Sequence, residues 1–214
     1  MPEQAISELK TVTDLITLYS RRRKEIKRRL RDFKKVKSSD YFYELVYCLL
    51  TPQSSAENAL YVTEELRRNN FEKNGFNPES ILRNRNKYIR FHKTKSKRLV
   101  ALKSSYPLIK KILRSKINSH DLRDWLVKNV DGFGMKEASH FLRNIGYSDL
   151  AILDRHILKC LRQLKVIGGL PESLTVKKYL QIEKKFKNFS DKCGISMDEL
   201  DLLFWSLGTG RILK

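Results

Sequence analysis

The sequence predicts an all-α protein. Apolar residues recur every three or four positions along most of the chain, which is the spacing of one helix face. We find no alternating strand pattern of any length and no internal repeat, and short connections containing glycine, proline or serine separate the helical segments. The 214 residues, of which 41% are hydrophobic, suffice for one good core or for two small cores that share an interface.

The N-terminal part of the chain combines helical spacing with a high density of positive charge. Residues 4–18 carry apolar side chains at helical spacing, and residues 21–37 contain eleven basic residues in seventeen positions. Within the basic segment, Ile26, Leu30 and Phe33 form a stripe that can pack against a core. The basic face is either an ordinary solvated face or a surface for phosphates, and the two interpretations are compatible because a docked helix displays its arginines outward.

The next two predicted helices enclose an exposed turn. Residues 41–50 are apolar almost all round, which favours a buried helix. Ser54 followed by Glu57 is a capping box, so a second helix should start there and run through Leu66. Gln53 then lies on an exposed turn between the two helices, where an ordinary loop residue is the simplest interpretation.

A second basic segment follows a predicted loop over residues 69–78. Residues 83–98 contain eight basic residues and no acid, interleaved with Tyr88, Ile89 and Phe91. This alternation is typical of proteins that bind unstacked nucleic acid, with charges for the backbone and rings for the bases, although many surface helices share it. Helical spacing resumes at Leu99 and continues past a proline to residue 113.

The centre of the sequence is a glycine hairpin between two helices. Gly132 and Gly134 stand between segments with helical apolar spacing, and they allow a sharp bend that leaves backbone amide groups uncovered. Such N–H groups, at the start of the second helix, form an anion site that suits one DNA phosphate. The hairpin predicts sequence-independent docking on DNA.

Two residues near the hairpin suggest a reaction. Lys136 lies in the first turn of the second helix, where the helix dipole and neighbouring cations favour an uncharged, nucleophilic amine. Asp154 is the predicted N-cap of a third helix, and its carboxylate would stabilise positive charge on a sugar ring or help to deprotonate Lys136. The simpler alternative is that Asp154 only caps its helix and Lys136 only binds a phosphate.

Three further segments complete the prediction. The helix that Asp154 begins should end at Gly168, and two more helices should cover residues 176–189 and 197–207. The chain then closes with Thr-Gly-Arg-Ile-Leu-Lys.

Net charge and cysteine content limit the classes of partner and cofactor that the protein can have. The net charge of +20, from 44 Lys and Arg against 24 Asp and Glu, favours nucleic acid, then an anionic membrane surface, then an acidic protein. No apolar run approaches the roughly 18 residues of a membrane span and no signal-peptide core is present, so we expect a cytoplasmic, nucleoid-associated protein. The three cysteines and four histidines lack zinc-site spacing, so we expect neither disulfides, nor a metal, nor a cofactor.

Several segments resemble a known family of DNA repair enzymes. GFGMK followed by AILDRH is similar to the helix-hairpin-helix motif and trailing aspartate of the endonuclease III superfamily of DNA glycosylases. More closely, the chain resembles the archaeal-type (type 2) 8-oxoguanine DNA glycosylase/lyases. The similar segments are LLTPQSSAENA at residues 49–59, VDGFGMKEASHFLRNIGY at 130–147, AILDRHILK at 151–159, and the terminal TGRILK.

The resemblance implies an architecture and a reaction. It implies two helical lobes flanking a DNA-binding cleft, with residues 38–145 in a lobe that ends in the helix-hairpin-helix motif and residues 1–37 and 146–214 in the other. The resemblance also implies that the protein is a monomer, that its partner is double-stranded DNA containing an oxidised guanine, and that it does not bind a membrane. Lys136 would attack C1′, expel the base as a Schiff base forms, and cleave the strand by β-elimination, with Asp154 as the essential carboxylate.

The resemblance also implies residues that handle the extruded base. Gln53 would fill the gap left in the duplex, and Phe91 and Trp205 would hold the base, with Asp201 one turn before Trp205. The terminal carboxylate of Lys214 would accept the N7 hydrogen that 8-oxoguanine has and guanine lacks. An inert, frayed terminus is the alternative for Lys214.

One departure from the superfamily narrows the substrate. Many relatives of endonuclease III hold an iron–sulfur cluster with four cysteines near the C-terminus, whereas only Cys193 lies in the last fifty residues here. We therefore expect no cluster. Two alternatives stay open at this point: a glycosylase/lyase for another oxidised base such as thymine glycol, and a non-catalytic helix-hairpin-helix DNA-binding protein.

Overall fold

The computed structural model of the protein describes residue 6 and residues 8–213. This part of the chain is helical and contains no strand, as the apolar spacing predicts. Its helices are α1 (Val12–Lys34), α2 (Tyr41–Leu50), α3 (Ala56–Arg68), α4 (Phe71–Asn74), α5 (Glu79–Leu82), α6 (His92–Leu113), α7 (Ser119–Asn129), α8 (Met135–Asn144), α9 (Arg155–Gln163), α10 (Val176–Cys193) and α11 (Met197–Thr209).

The chain forms two compact units. The central unit comprises Val36–Phe141, and the terminal unit combines the described residues up to Lys35 with those from Leu142 onward. The junctions thus lie at 35/36 and 141/142, where the sequence suggested 37/38 and 145/146. Helix α8 begins in the central unit and ends in the terminal unit.

The terminal unit is built around α11. Helix α11 is apolar on most sides because it packs against α1, α9 and α10. Helix α1 buries Ile26 and Phe33 and leaves arginines such as Arg21 and Arg28 exposed, so the predicted apolar stripe and basic outer face are both confirmed.

The predicted start of α1 is wrong. The helix was expected over residues 4–18, yet it begins at Val12, and residues 1–5 and 7 lie outside the described part of the chain. Thr11 and Asp14 form a reciprocal capping box, in which each side chain accepts the backbone N–H of the other residue. This local pattern decides the boundary because it satisfies amide groups that the first helical turn leaves unpaired.

The central unit has an aromatic core under α2. Helix α2 packs against α3 and α6, and α6 also contacts α5 and α7. The Phe42 ring lies 5.0 Å from Tyr106 and 6.1 Å from Phe71, between ring centroids. Burial of these large rings explains why residues 41–50 are apolar on every side.

Several other boundaries differ from the prediction. Helices α10 and α11 end at Cys193 and Thr209, where residues 189 and 207 were predicted. The N-cap of α3 is Ser55, whose hydroxyl accepts the Asn58 N–H, and not Ser54. The expected loop over residues 69–78 contains the short helix α4. Helix α9 was predicted to end at Gly168 but ends at Gln163. Two residues later, Lys165 adopts a left-handed φ of 57°.

Candidate active site

The glycine hairpin joins α7 to α8 in the central unit. Gly132 has a φ of 87°, a conformation that residues with a side chain rarely adopt. Between the glycines, Phe133 is buried, and its ring lies 6.3 Å from that of Phe141. The hairpin is therefore anchored through its own aromatic residue, and the bend is carried by Gly132.

A carboxylate that the sequence did not single out organises the start of α8. Glu137 Oε2 accepts the Gly134 N–H at 3.1 Å, and Glu137 Oε1 lies 2.9 Å from Lys136 Nζ. The amide that was expected to bind a phosphate thus has an internal partner. Glu137 stands three residues after Gly134, which is the spacing of an N-terminal capping pattern, and this spacing could have identified Glu137 from the sequence.

Lys136 lies in the first turn of α8 among charged neighbours. Its side chain is 29% exposed, so the amine is reachable from solvent. Arg98, on α6, lies against the hairpin, because a Cβ built on Gly132 would be 2.7 Å from Arg98 Cδ. Arg98 Nε also lies 3.4 Å from Asp131 Oδ1.

Lys95 is the second lysine near the hairpin, and it is buried. It is 3% exposed and donates to the Leu50 and Pro52 carbonyls at 2.7 Å each and to Ser54 Oγ at 3.2 Å. Burial, reinforced by the positive charges of Lys136 and Arg98, lowers the pKa of Lys95 to about 8. The basic segment over residues 83–98 gave no sign that one of its lysines faces inward.

Two of the predicted base-handling residues lie beside this lysine. Gln53 is exposed on its turn, as predicted, and adopts a left-handed φ of 55°. Phe91, which is 50% exposed, is also left-handed, with a φ of 61°. Ser54 links them, because its hydroxyl accepts the Arg90 N–H at 3.0 Å. The Arg90 guanidinium lies 5.2 Å from the Phe91 ring centroid.

Asp154 caps α9 in the terminal unit, which confirms the predicted N-cap. Its Oδ1 accepts the backbone N–H groups of His156 at 2.7 Å and Ile157 at 2.9 Å. The carboxylate is partly exposed, so its remaining surface is accessible. Burial lowers the pKa of His156, and burial together with the charge of Asp154 raises the pKa of the Cys160 thiol to about 12.

Asp201 and Trp205 share one face of α11, but their environments differ. Asp201 is buried, and its Oδ2 lies 2.9 Å from an Nη of the buried Arg143, whose guanidinium also lies 4.6 Å from the Phe33 ring centroid. Burial raises the pKa of Asp201 to about 7, although Arg143 opposes the shift. Trp205 remains partly exposed. The ring is therefore available to a ligand, whereas the carboxylate is engaged within the unit.

The end of α11 lies against the start of α9. A Cβ built on Gly208 would lie 2.0 Å from His156 Nδ1, so only glycine permits this approach. Beyond the helix, Ile212 is 9% exposed and anchors the C-terminal segment. Lys214, the last of the predicted site residues, lies outside the described part of the chain.

The described residues contain no group of three or more His, Cys, Asp or Glu side chains that could hold a metal ion. Cys48 and Cys160 are buried free thiols, and Cys193 is a partly exposed one. Across residue 6 and residues 8–213, no helix is both long and apolar enough to cross a bilayer.

The chain is similar to a set of named proteins. The sequence profile of the family described as 8-oxoguanine DNA glycosylase matches residues 26–195. A protein of Fusobacterium nucleatum named 8-oxoguanine DNA glycosylase/AP lyase is 40% identical over 207 residues, which cover 92% of this chain and 94% of the relative. A relative of the same name from Korarchaeum cryptofilum is 38% identical over 205 residues, 95% of this chain and 97% of its own.

Solved structures share the fold. The Methanocaldococcus jannaschii 8-oxoguanine glycosylase/lyase, in complex with 15mer DNA containing 8-oxoguanine, has a TM-score of 0.84 and 33% identity, covering 94% of this chain and 99% of that one. The 8-oxoguanine DNA glycosylase of Thermotoga maritima has a TM-score of 0.83 and 27% identity, with both chains covered completely.

Proposed function

Since the chain belongs to the 8-oxoguanine DNA glycosylase family, we propose that Lys136 is the nucleophile with which it excises 8-oxoguanine from DNA and cleaves the resulting abasic site. The observation that carries the proposal is the position of Lys136. Its amine is partly exposed in the first turn of α8, directly after the hairpin that is expected to contact a DNA phosphate.

The proposed reaction has two stages. The Lys136 amine forms a bond to C1′ while the bond from C1′ to the base breaks, and the base leaves with the bonding electron pair and takes up a proton. The amine loses its proton as the sugar opens to a Schiff base. Loss of a C2′ proton then drives cleavage of the bond between C3′ and its phosphate oxygen, which cuts the strand on the 3′ side.

Asp154 is the proposed essential carboxylate. Two backbone N–H groups hold one of its oxygens, so the charge is fixed in place before the substrate binds. We propose that this charge stabilises the positive charge that develops on the sugar as the base departs. The capping bonds that support α9 therefore also orient a reacting group.

The exposed rings are the proposed contacts of the extruded base. Phe91 is half exposed and Trp205 partly exposed, and each can present a ring face to a base. Gln53, on its exposed turn, would replace the stacking that the duplex loses. Asp201 was expected to join this group, and its pairing with Arg143 supports an indirect contribution, by holding α11 and therefore Trp205.

The C-terminal residue is the proposed discriminator of 8-oxoguanine from guanine. Gly208 packs against His156, so the end of α11 lies near the helix that Asp154 caps, and Ile212, two residues before Lys214, is buried. A terminal carboxylate in that region would accept the N7 hydrogen of 8-oxoguanine. Guanine would leave the carboxylate without a partner, which is a large penalty in a buried site.

The partner is DNA, and we propose that one copy of the protein binds it at the nucleoid. The net charge of +20 and the exposed arginines of α1 support binding to the phosphate backbone. Amide groups around Gly132 and Gly134 would contact one phosphate, and at Gly134 the phosphate would compete with Glu137.

Borohydride trapping on duplex DNA containing 8-oxoguanine tests the proposal. Reduction of the Schiff base should give a covalent adduct in the wild-type protein, and Lys136→Gln should abolish it. Lys128→Gln is the matched control, because Lys128 is an exposed lysine at the end of α7 and its loss removes the same charge next to the hairpin. This control should keep the adduct.

The outcomes separate the alternatives. Trapping only on thymine glycol would contradict the assignment of 8-oxoguanine and would leave Lys136 as the nucleophile. An adduct that persists in Lys136→Gln would contradict the role of this lysine. DNA binding without an adduct on any oxidised base would identify a non-catalytic DNA-binding protein.

A further inference from the structure

Lys95 is a buried charged group that the proposed reaction does not use. It belongs to a basic segment in which most other members, such as Lys93 and Lys97, are exposed. An ammonium group has three N–H donors, and those of Lys95 go to two backbone carbonyls and one hydroxyl. None is left for a DNA phosphate.

All three acceptors lie on or next to the turn that carries Gln53. Leu50 is the last residue of α2 before the turn, the Pro52 carbonyl belongs to the peptide bond between Pro52 and Gln53, and Ser54 follows Gln53 directly. A left-handed φ at a residue with a side chain costs about 1–2 kcal/mol, so surrounding contacts must hold it. The Lys95 ammonium supplies these contacts from the inner side of the turn.

The same lysine is also tied to Phe91. Its backbone N–H donates to the Phe91 carbonyl at 2.9 Å, which closes the first turn of α6. Ser54, one of its side-chain partners, accepts the N–H of Arg90, the residue before Phe91. Two left-handed residues, both exposed, are therefore held through one lysine and one serine.

The Lys95 side chain also supports the end of α2, because Leu50 is the last residue of that helix and its carbonyl accepts from the ammonium group. Burying an ammonium group costs several kcal/mol unless every donor is satisfied, and an apolar side chain would avoid that cost but would leave the Leu50 and Pro52 carbonyls without this partner. What the cation adds is direction, since charge-assisted hydrogen bonds fix where the carbonyls on either side of Gln53 point.

We propose that Lys95 is a positioning residue for base extrusion, which holds Gln53 and Phe91 in the conformations that replace the extruded base and receive it. The proposal rests on the functions proposed above for Gln53 and Phe91. Lys95 itself contacts neither the DNA nor the reacting atoms.

The test compares two substrates that differ in their need for extrusion. Duplex DNA with 8-oxoguanine requires the base to leave the stack, whereas a preformed abasic site in single-stranded DNA has no base to extrude. Lys95→Met should lower single-turnover excision from the duplex by about tenfold or more, the effect of losing one charge-assisted hydrogen bond. Trapping on the single-stranded abasic site should change by less than about twofold.

Lys103→Met is the matched control. Lys103 lies on the same helix and also donates to a backbone carbonyl, that of Lys73 at 3.0 Å, but far from the Gln53 turn. It should leave the ratio of the two activities unchanged. Melting temperatures of all variants show whether the fold is retained. If Lys95→Met is unfolded, Ser54→Ala takes its place as the test variant. Because it removes the shared hydroxyl, Ser54→Ala should lower excision from the duplex by a smaller factor and leave trapping on the single-stranded abasic site unchanged.

Fluorescence of 2-aminopurine placed next to the lesion reads extrusion without excision. Lys95→Met should reduce the signal, and much less so in a Gln53→Ala background, because the residue through which Lys95 acts is then absent. An equal loss on both substrates, or an equal loss of signal in both backgrounds, would overturn the proposal. A wild-type protein that extrudes the base but never excises it would instead contradict the proposed function.

Discussion

The two hairpin glycines resemble each other in the sequence but should respond differently to an added methyl group. Gly132 has a φ of 87°, and its Cβ would lie 2.7 to 3.0 Å from three atoms of the Arg98 side chain. Gly134 is not among the residues with positive φ, and its Cβ would lie 3.1 Å from the end of the Glu137 side chain. Gly132→Ala should therefore destabilise the protein, and Gly134→Ala should do so only slightly.

The magnitude follows from two contributions. The left-handed backbone conformation of an alanine costs about 1–2 kcal/mol. Displacement of Arg98 also breaks its contact with Asp131, and an exposed ion pair of this kind contributes up to about 1 kcal/mol. The sum is about 1–3 kcal/mol for Gly132→Ala. At Gly134 the carboxylate of Glu137 needs to move by only a few tenths of an ångström, so we expect less than about 0.5 kcal/mol.

Thermal unfolding followed by circular dichroism measures the difference. For a chain of this size, about 1 kcal/mol corresponds to roughly 2–4 °C in Tm, so Gly132→Ala should lower Tm by about 2–12 °C and Gly134→Ala by less than about 2 °C. Equal shifts, or a larger shift for Gly134→Ala, would refute the assignment of the bend to Gly132.

Two further predictions concern the terminal unit. Asp198 is buried, has no hydrogen-bond partner for Oδ1 among the described residues, and has its pKa raised to about 6 by burial. Between about pH 4 and 6 the folded state therefore binds more protons than the unfolded state, so the free energy of unfolding falls as the pH rises. Asp198→Asn should remove the contribution of Asp198 to this fall, while the contribution of Asp201 remains. The substitution should stabilise the protein at pH 7 by at most about 3 kcal/mol, with little effect at pH 4, as urea unfolding at the two pH values would measure. The same gain at both pH values would contradict the reasoning. Deletion of Lys214 should lower 8-oxoguanine excision about tenfold or more and abasic-site cleavage far less, as single-turnover assays on both substrates would measure. Equal losses would mean that the residue supports the fold.

Local sequence patterns predicted the helix caps well where the residues of a single helical turn decide which residue is the cap. Asp154 caps α9 because a carboxylate before an apolar helical face is the partner of the first amide groups, and the pattern needs no information from elsewhere in the chain. The same reasoning misplaced the cap of α3 by one residue. Ser54 and Ser55 are both suitable caps, and the contact of Ser54 with Arg90, 36 positions away, leaves the cap to Ser55.

Charged residues were predicted less well, because burial is a property of the whole fold. The sequence shows Lys95 among exposed cations, and only the packing of α6 against the end of α2 and its turn brings its ammonium to carbonyls more than forty positions away. The sequence places Asp201 one turn before Trp205 but gives no sign of its buried ion pair with Arg143, 58 positions away.

The sequence by itself determined the all-α class, the glycine hairpin, the family, and Lys136 and Asp154 as the residues to test, since these rest on short motifs and helical periodicity. The tertiary structure alone decided which charges are buried and which partners they have. It placed the Lys95 ammonium against the Gln53 turn and paired Asp201 with Arg143, because hydrogen bonds between residues far apart in the chain depend on distances that no local pattern encodes.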